Sequence, residues 1–374
     1  MAPTNRPPFR ADHVGSLLRP PKLLDARARR ERGEIDAAEL RRAEDEAIFD
    51  AVRMQESLGL KAATDGEFRR TWWHTDFLGQ IGGCVVKDGT FVASFQREDG
   101  QVTMTPHTIA VAARLARTHP IQGPDFAYLK SVCQVVPKVS IPSPVWVHFR
   151  TPRADIDRAA YPDLDAFVED LIRVYREEVA DLAKLGCTYL QLDDTTFPYL
   201  CDPKLVEATR KGGRDPAQLL HLYARMLNEV RAAAPPGMAI TTHMCRGNFR
   251  SAWVASGGWE PVAEILFNEV KIDGFFVEYD DERSGDFAPL RYVPKGGPKI
   301  VLGLVTTKRP RLETKDELKR RIDEAAKYVA LDQLCLSPQC GFASTVEGNE
   351  ITVDDEKKKL ARIVEVATEI WGGV

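Results

Sequence analysis

The 374-residue chain has no apolar run near the roughly 18–20 residues that cross a bilayer as a helix, so no transmembrane span is expected. Its opening stretch, MAPTNRPPFRADHVGSL, lacks the apolar centre of a secretory leader, and the expectation is a cytoplasmic protein. Neither charge sign dominates. A formal net charge of -4 with 28% charged residues offers no surplus that would demand a nucleic acid or a membrane surface as partner. Seven cysteines, Cys84, Cys133, Cys187, Cys201, Cys245, Cys335 and Cys340, are odd in number and scattered, which argues against a disulfide framework and for reduced thiols or metal ligands. Internal repeats and low-complexity tracts are missing. So is a G-x-G-x-x-G fingerprint after the first candidate strand, which counts against an open dinucleotide-binding sheet.

What is present is alternation. Short apolar strands are expected near 11–16, 60–66, 138–145, 187–193, 238–244, 273–278, 299–305 and 333–338. Amphipathic helices with apolar residues at three-four spacing separate most of them, at 36–58, 165–185, 215–234, 259–269, 314–329 and 354–371. Eight βα units predict an α/β fold of the TIM (β/α)8 barrel type, one catalytic barrel over 1–374, with its active site at the C-terminal ends of the strands. The segment 78–135 departs from this pattern. Turn signals at Asp88-Gly89 and Asp99-Gly100 between β-prone runs predict an inserted hairpin or meander.

The strand ends carry the chemistry. In THMCRGNFR, side-chain alternation puts His243 and Cys245 on one face, either as packed core residues or as two ligands. The sixth strand ends in Glu278 and the eighth runs into Cys340. A barrel mouth gathers such ends, and two thiols, an imidazole and a carboxylate suit a tetrahedral zinc ion with one exchangeable position. Asp193 and Asp194 end the strand TYLQLDD as substrate groups or as helix-capping acids. Arg246, Asn248 and Arg250 follow the His-x-Cys pair directly; they suit a substrate anion as well as they suit a solvated surface. Trp72, Trp73 and His74 wall a pocket or pack in the core. Cys84, Cys133, Cys187 and Cys201 read as small packing residues, and Cys335 as too deep to share the site.

The order HMC, VEYDD, QCG resembles the cobalamin-independent methionine synthases, specifically their C-terminal catalytic barrel, and His13-Val14-Gly15-Ser16 and Asp65-Gly66-Glu67 extend the likeness through most of the chain. It is closer still to a single-barrel branch, also similar to the epoxyalkane:coenzyme M transferases. The resemblance implies a barrel of the uroporphyrinogen decarboxylase/methionine synthase type holding one Zn²⁺ per chain through His243, Cys245, Glu278 and Cys340. Glu278 would be the ligand that yields to an incoming thiolate. Asp193 and Glu67 match carboxylates that hold homocysteine, and Ser16 would contribute mainly its backbone. Three departures matter. There is room for one barrel where the full synthases have two, Lys308 stands about where the family has a proton-donating histidine, and Tyr199 stands where it has a glutamate.

The function expected on this basis is a zinc-dependent thiol S-alkyltransferase that methylates homocysteine to methionine. Its donor would be 5-methyltetrahydrofolate, in triglutamate form, or a corrinoid protein, and a homo-oligomer is possible. A second reading keeps the zinc-thiolate step and opens an epoxide for coenzyme M, with Lys308 or Arg309 stabilising the alkoxide. A third is a metal-free lyase resembling uroporphyrinogen decarboxylase.

Overall fold

A computed structural model gives the fold, described for residues 6–89, 92–97 and 99–374. Met1–Asn5, at the head of the stretch read for a leader, lie outside the described residues, as do Thr90 and Phe91 beside the Asp88-Gly89 turn and Glu98 beside Asp99. Twelve strands occur among the described residues: β1 Ala62–Ala63, β2 Gly82–Lys87, β3 Ala93–Arg97, β4 Gly100–Met104, β5 Thr108–Ala116, β6 Val136–Pro137, β7 Val139–Pro142, β8 Tyr189–Asp194, β9 Ala239–Met244, β10 Gly274–Glu278, β11 Lys299–Val305 and β12 Leu334–Pro338. Six of them, in the order β12-β11-β10-β9-β8-β7, form one sheet in which every pairing is parallel. Strands β8, β9, β10 and β12 are buried at every residue, as expected where helices cover one face and side chains fill the other.

Two further pieces continue the parallel pattern at the sheet's ends. Strand β1 pairs in parallel with β6, which leads directly into β7. At the other end Ala11 makes a single parallel bridge to Leu336, with Asp12 N donating to Leu336 O at 3.0 Å and Leu336 N to Arg10 O at 2.8 Å. A small core cluster draws Ala62, Tyr189, Ala239, Phe276, Val301 and Cys335 from six different strands onto Phe9 and Val14. Cys335 therefore packs deep between the strands.

Helices follow local signals in the sequence. Asp36 with Glu39, Thr314 with Glu317 and Thr352 with Asp355 form capping boxes that start Ala37–Ser57, Lys315–Ala325 and Val353–Trp371. Asp215 caps Pro216–Arg231, whose first position is a proline with no amide to leave unpaired.

The pattern expected near the N-terminal half needs correction. The strand expected at 11–16 is reduced to the Ala11 bridge, and Gly15 turns at φ 141° against Glu67 and Ser140. The strand expected at 60–66 is paired only at Ala62–Ala63. The third strand ends at Pro142, because Ser143 caps a helix beginning at Pro144 and extending to Arg150. Within 78–135, β2 pairs antiparallel with β5 and β3 with β4, the latter turning at Gly100. The same range also contains a helix, Gly123–Val132, that the hairpin reading did not include.

Candidate metal centre and its cavity

Three side chains converge at the C-terminal ends of β9 and β12. His243, Cys245 and Cys340 each bring a ligand atom to within 4.8 Å of the others, all buried, and the two sulfurs are 3.3 Å apart. Strand β9 delivers His243 as its penultimate residue and Cys245 just beyond its end, so period-two alternation aims both the same way. Cys340 arrives on the turn after β12, whose path requires Gly341: a Cβ there would lie 1.8 Å from Ser16 Oγ. The Ser16 segment is tied to that turn by Phe342 N donating to Ser16 O at 2.9 Å and Ala343 N to Ser16 Oγ at 3.3 Å.

The imidazole is oriented on both sides. Its Nδ1 lies 3.3 Å from Asp193 Oδ1, which also accepts from Gln191 Nε2 at 2.8 Å, and its Nε2 lies 3.3 Å from Gln339 O. Such outer partners fix the ring and raise its basicity as a ligand. Burial works against a charged His243, yet hydrogen bonds to Asp193 and Cys340 carry its pKa up to about 10. Hydrogen bonding from Cys245, together with His243 and against the cost of burial, holds the Cys340 thiol well below its ordinary range, and the same pairing pushes Cys245 up. Two sulfurs within hydrogen-bond reach of each other beside an imidazole make a soft donor set that a divalent cation would occupy by displacing the thiol and imidazole protons. The residues therefore fit a zinc ion.

A cavity of about 240 Å³ opens onto this group, and its wall includes Ser16, Glu67, Asp193, His243, Cys245 and Cys340. Glu67 is held at φ 59°, a left-handed conformation costly for a residue with a side chain and characteristic of constrained sites. It is ion-paired with Arg70. Burial pushes its pKa up to about 8, and the Asp193 carboxylate adds to the rise while Arg70 opposes it. Asp194 is also on the wall, its pKa raised to about 6 by burial and restrained by the amides at the start of the next helix.

Trp72, Trp73, His74, Tyr199 and Asn248 also line the cavity. Burial, with Arg150 and Arg70 nearby, lowers His74 to about 3, so its ring is neutral at physiological pH. Arg250 and Arg309 are exposed.

Arg246, Glu278 and Lys308 are placed differently. None of the three is on the wall of this cavity among the described residues. The guanidinium of Arg246 is fully buried against the Trp259 ring, 4.9 Å from its centroid, and its nitrogens have no hydrogen-bond partner. Glu278 Oε1 lies 3.3 Å from Lys308 Nζ and 3.4 Å from Arg283, while Oε2 accepts from the Arg246 amide at 3.2 Å. Sequence reasoning missed Arg283 entirely, because nothing in YDDERSGD separates it from a solvated charge run. It also missed Phe95 and Met104, which reach the cavity from the β3–β4 hairpin; only the fold reveals where that hairpin lies.

This geometry defines a parallel α/β protein with a buried soft-donor group at the C-terminal ends of its strands. The chain belongs to the family described as "Cobalamin-independent synthase, Catalytic domain", whose model matches residues 9–369. That is a family of methionine-synthase-like methyltransferases. The uncharacterized protein YxjH of Bacillus subtilis is 42% identical over 366 residues, covering 97% of this chain and 95% of its own. A methionine synthase of Pyrococcus abyssi is 24% identical over 339 residues, covering 88% and 85%. A crystal structure from Listeria monocytogenes, provisionally described as a vitamin-B12 independent methionine synthase, superposes with a TM-score of 0.79 at 39% identity, covering 98% of this chain and 99% of the other. No helix among the described residues is long and apolar enough to cross a membrane.

Proposed function

We propose that this chain is a zinc-dependent S-methyltransferase that acts on homocysteine to form methionine, built as one (β/α)8 barrel over 1–374 with 78–135 inserted. The observation that carries the reading is the buried His243, Cys245 and Cys340 group at the end of a cavity whose wall also bears Asp193 and Glu67. Barrel closure is supported by the parallel pairings at both ends of the six-stranded sheet and by the inward cluster drawn from six strands. The family match and the methionine synthase relative support the thiol and the product.

Zinc held by His243, Cys245 and Cys340, with Glu278 as the exchangeable fourth ligand, would supply a thiolate at neutral pH from a thiol of free pKa near ~8.5. The chain's own residues do the rest. Asp193 would accept a hydrogen bond from the ammonium of the substrate while it keeps His243 oriented, and Glu67, once ionised, would supply a second acceptor. Ser16 offers backbone atoms beside the Cys340 turn. Trp72, Trp73 and Phe95 add apolar surface to the cavity wall, which would exclude water from the nucleophile and strengthen its electrostatics. Lys308 and Arg246 act from behind the wall on Glu278.

A matrix of thiols against methyl donors, run on zinc-loaded protein with mass spectrometry of the alkylated product, tests the reading. Donors would include 5-methyltetrahydrofolate, its triglutamate and a methylated corrinoid. Methionine formed from homocysteine with at least one donor is the expected result. Turnover of coenzyme M with an epoxide, and none of homocysteine, would overturn it.

A further inference from the structure

The carboxylate of Glu278 is fully buried, and both its oxygens are occupied by groups other than a metal ligand set. Its Oε1 faces two cations, Lys308 and Arg283, which come from different loops, one after β11 and one after β10. Neither cation depends on Glu278 alone. Lys308 Nζ also lies 3.7 Å from Asp280 Oδ2; Arg283 also lies 3.4 Å from Asp280 and 2.6 Å from Asp281. A buried cation stripped of its only counter-charge is strongly destabilising, whereas one that keeps a second carboxylate tolerates the loss. Glu278 can therefore leave the cations without stranding them.

We propose that Lys308 and Arg283 form a cationic latch that competes with the metal for the Glu278 carboxylate, making Glu278 a two-position group. In one position it ligates the metal; in the other it is drawn back to the latch, and the coordination position is open to the substrate thiol. Lys308 is thus a positioning residue rather than a proton donor to the substrate, consistent with its absence from the cavity wall. The same holds for Arg283. This inference rests on the zinc reading above and deepens it. The physical content is a differential interaction: whatever weakens the latch shifts the carboxylate toward the metal by the same free energy.

The test is zinc competition with a chelator, at equilibrium and by release rate, on the full chain. Lys308→Met and Arg283→Met are each expected to hold zinc more tightly and release it more slowly, by about fivefold or more, while Lys308→Arg stays near wild type. Glu278→Gln combined with Lys308→Met should cancel the gain, because the amide is not drawn by the cations. Circular dichroism checks that each variant folds; the two cations are independent arms if one does not. Unchanged or weaker zinc binding in a natively folded Lys308→Met or Arg283→Met protein overturns the latch. Failure of the wild-type protein to take up about one zinc per chain would overturn the zinc reading itself, a separate result.

Discussion

Two buried charged clusters in this protein look alike in a list of residues and differ in what they can do. The first joins Asp12, Lys138 and Tyr189 between the strands. Asp12 Oδ2 accepts from Tyr189 Oη at 2.8 Å and Phe9 N at 3.1 Å, and Oδ1 accepts from His13 N at 2.8 Å and Lys138 Nζ at 3.1 Å. Lys138 in turn sits over the rings of Tyr189 and Phe276, 4.7 and 4.1 Å from their centroids. One anion and one cation satisfy each other, and nothing is left to react. The second cluster is His243, Cys245 and Cys340 with Asp193 beside them: the two sulfurs lie 3.3 Å apart, hydrogen bonds push the imidazole pKa up against the cost of burial, and a cavity adjoins them all. Buried charge alone does not mark a site; incomplete pairing beside a cavity does.

Removing single partners should separate the two. The largest expected effect is at the cavity: Cys245→Ser and Cys340→Ser should each weaken zinc binding by at least ~10³-fold, since a thiolate ligand is lost outright, while melting of the scaffold stays cooperative. Metal analysis after gel filtration reads this, with Cys335→Ser as the control that keeps its zinc. Retention of stoichiometric zinc by both variants would show that the soft-donor group is a core feature like the first cluster.

Next in size, Asp12→Ala leaves Lys138 buried without its counter-ion and should cost about 3 kcal/mol or more in chemical denaturation, with zinc stoichiometry of the folded protein unchanged. A loss of zinc in that variant would mean that the two clusters are coupled. Asp193→Asn should be milder, raising KM for homocysteine by about thirtyfold, roughly 2 kcal/mol, through the lost ammonium partner. Its zinc should stay bound, because the Asn side chain still reaches His243. Equal KM in wild type and variant would remove Asp193 from substrate binding.

A separate effect lies far from both clusters. Burial pushes the carboxyl of Glu356 up to about 8, even though its Oε2 accepts the Leu18 amide at 2.8 Å. A carboxyl with a folded pKa above its unfolded value is bound to its proton more tightly in the native state, so its contribution is full below pH ~4.5 and is lost as pH rises through about 8. Glu356→Gln keeps the hydrogen-bond acceptor and should flatten the fall in stability between pH 5 and 8, read from denaturation midpoints across pH.

Much of this was legible in the sequence, and unevenly so. The strand ends HMC, VEYDD and QCG named the donor residues, because strand alternation and residue type are local properties. Helices with capping boxes, such as Ala37–Ser57 and Val353–Trp371, were located to within a residue or two for the same reason. The first three strands read too long: the first is cut short at Gly15, where a side chain would meet Glu67 and Ser140 from distant segments, and the third at Ser143, whose cap on the helix from Pro144 is a local signal that went unread. Arg283 gave no signal at all.

The sequence by itself determined which chemical groups exist and which way each strand aims them: soft donors at two strand ends, carboxylates at two others, and an apolar periodicity that forces them onto one sheet. Tertiary structure alone decided which groups share a partner. Glu278 and Lys308 are 30 positions apart and His243 and Gln339 are 96 apart, and such pairs have no expression in local propensity. That the Glu278 carboxylate meets both Lys308 and Arg283 depends on how the loops after β11 and β10 pack, and those contacts of 3.3 and 3.4 Å are encoded by no one-dimensional spacing.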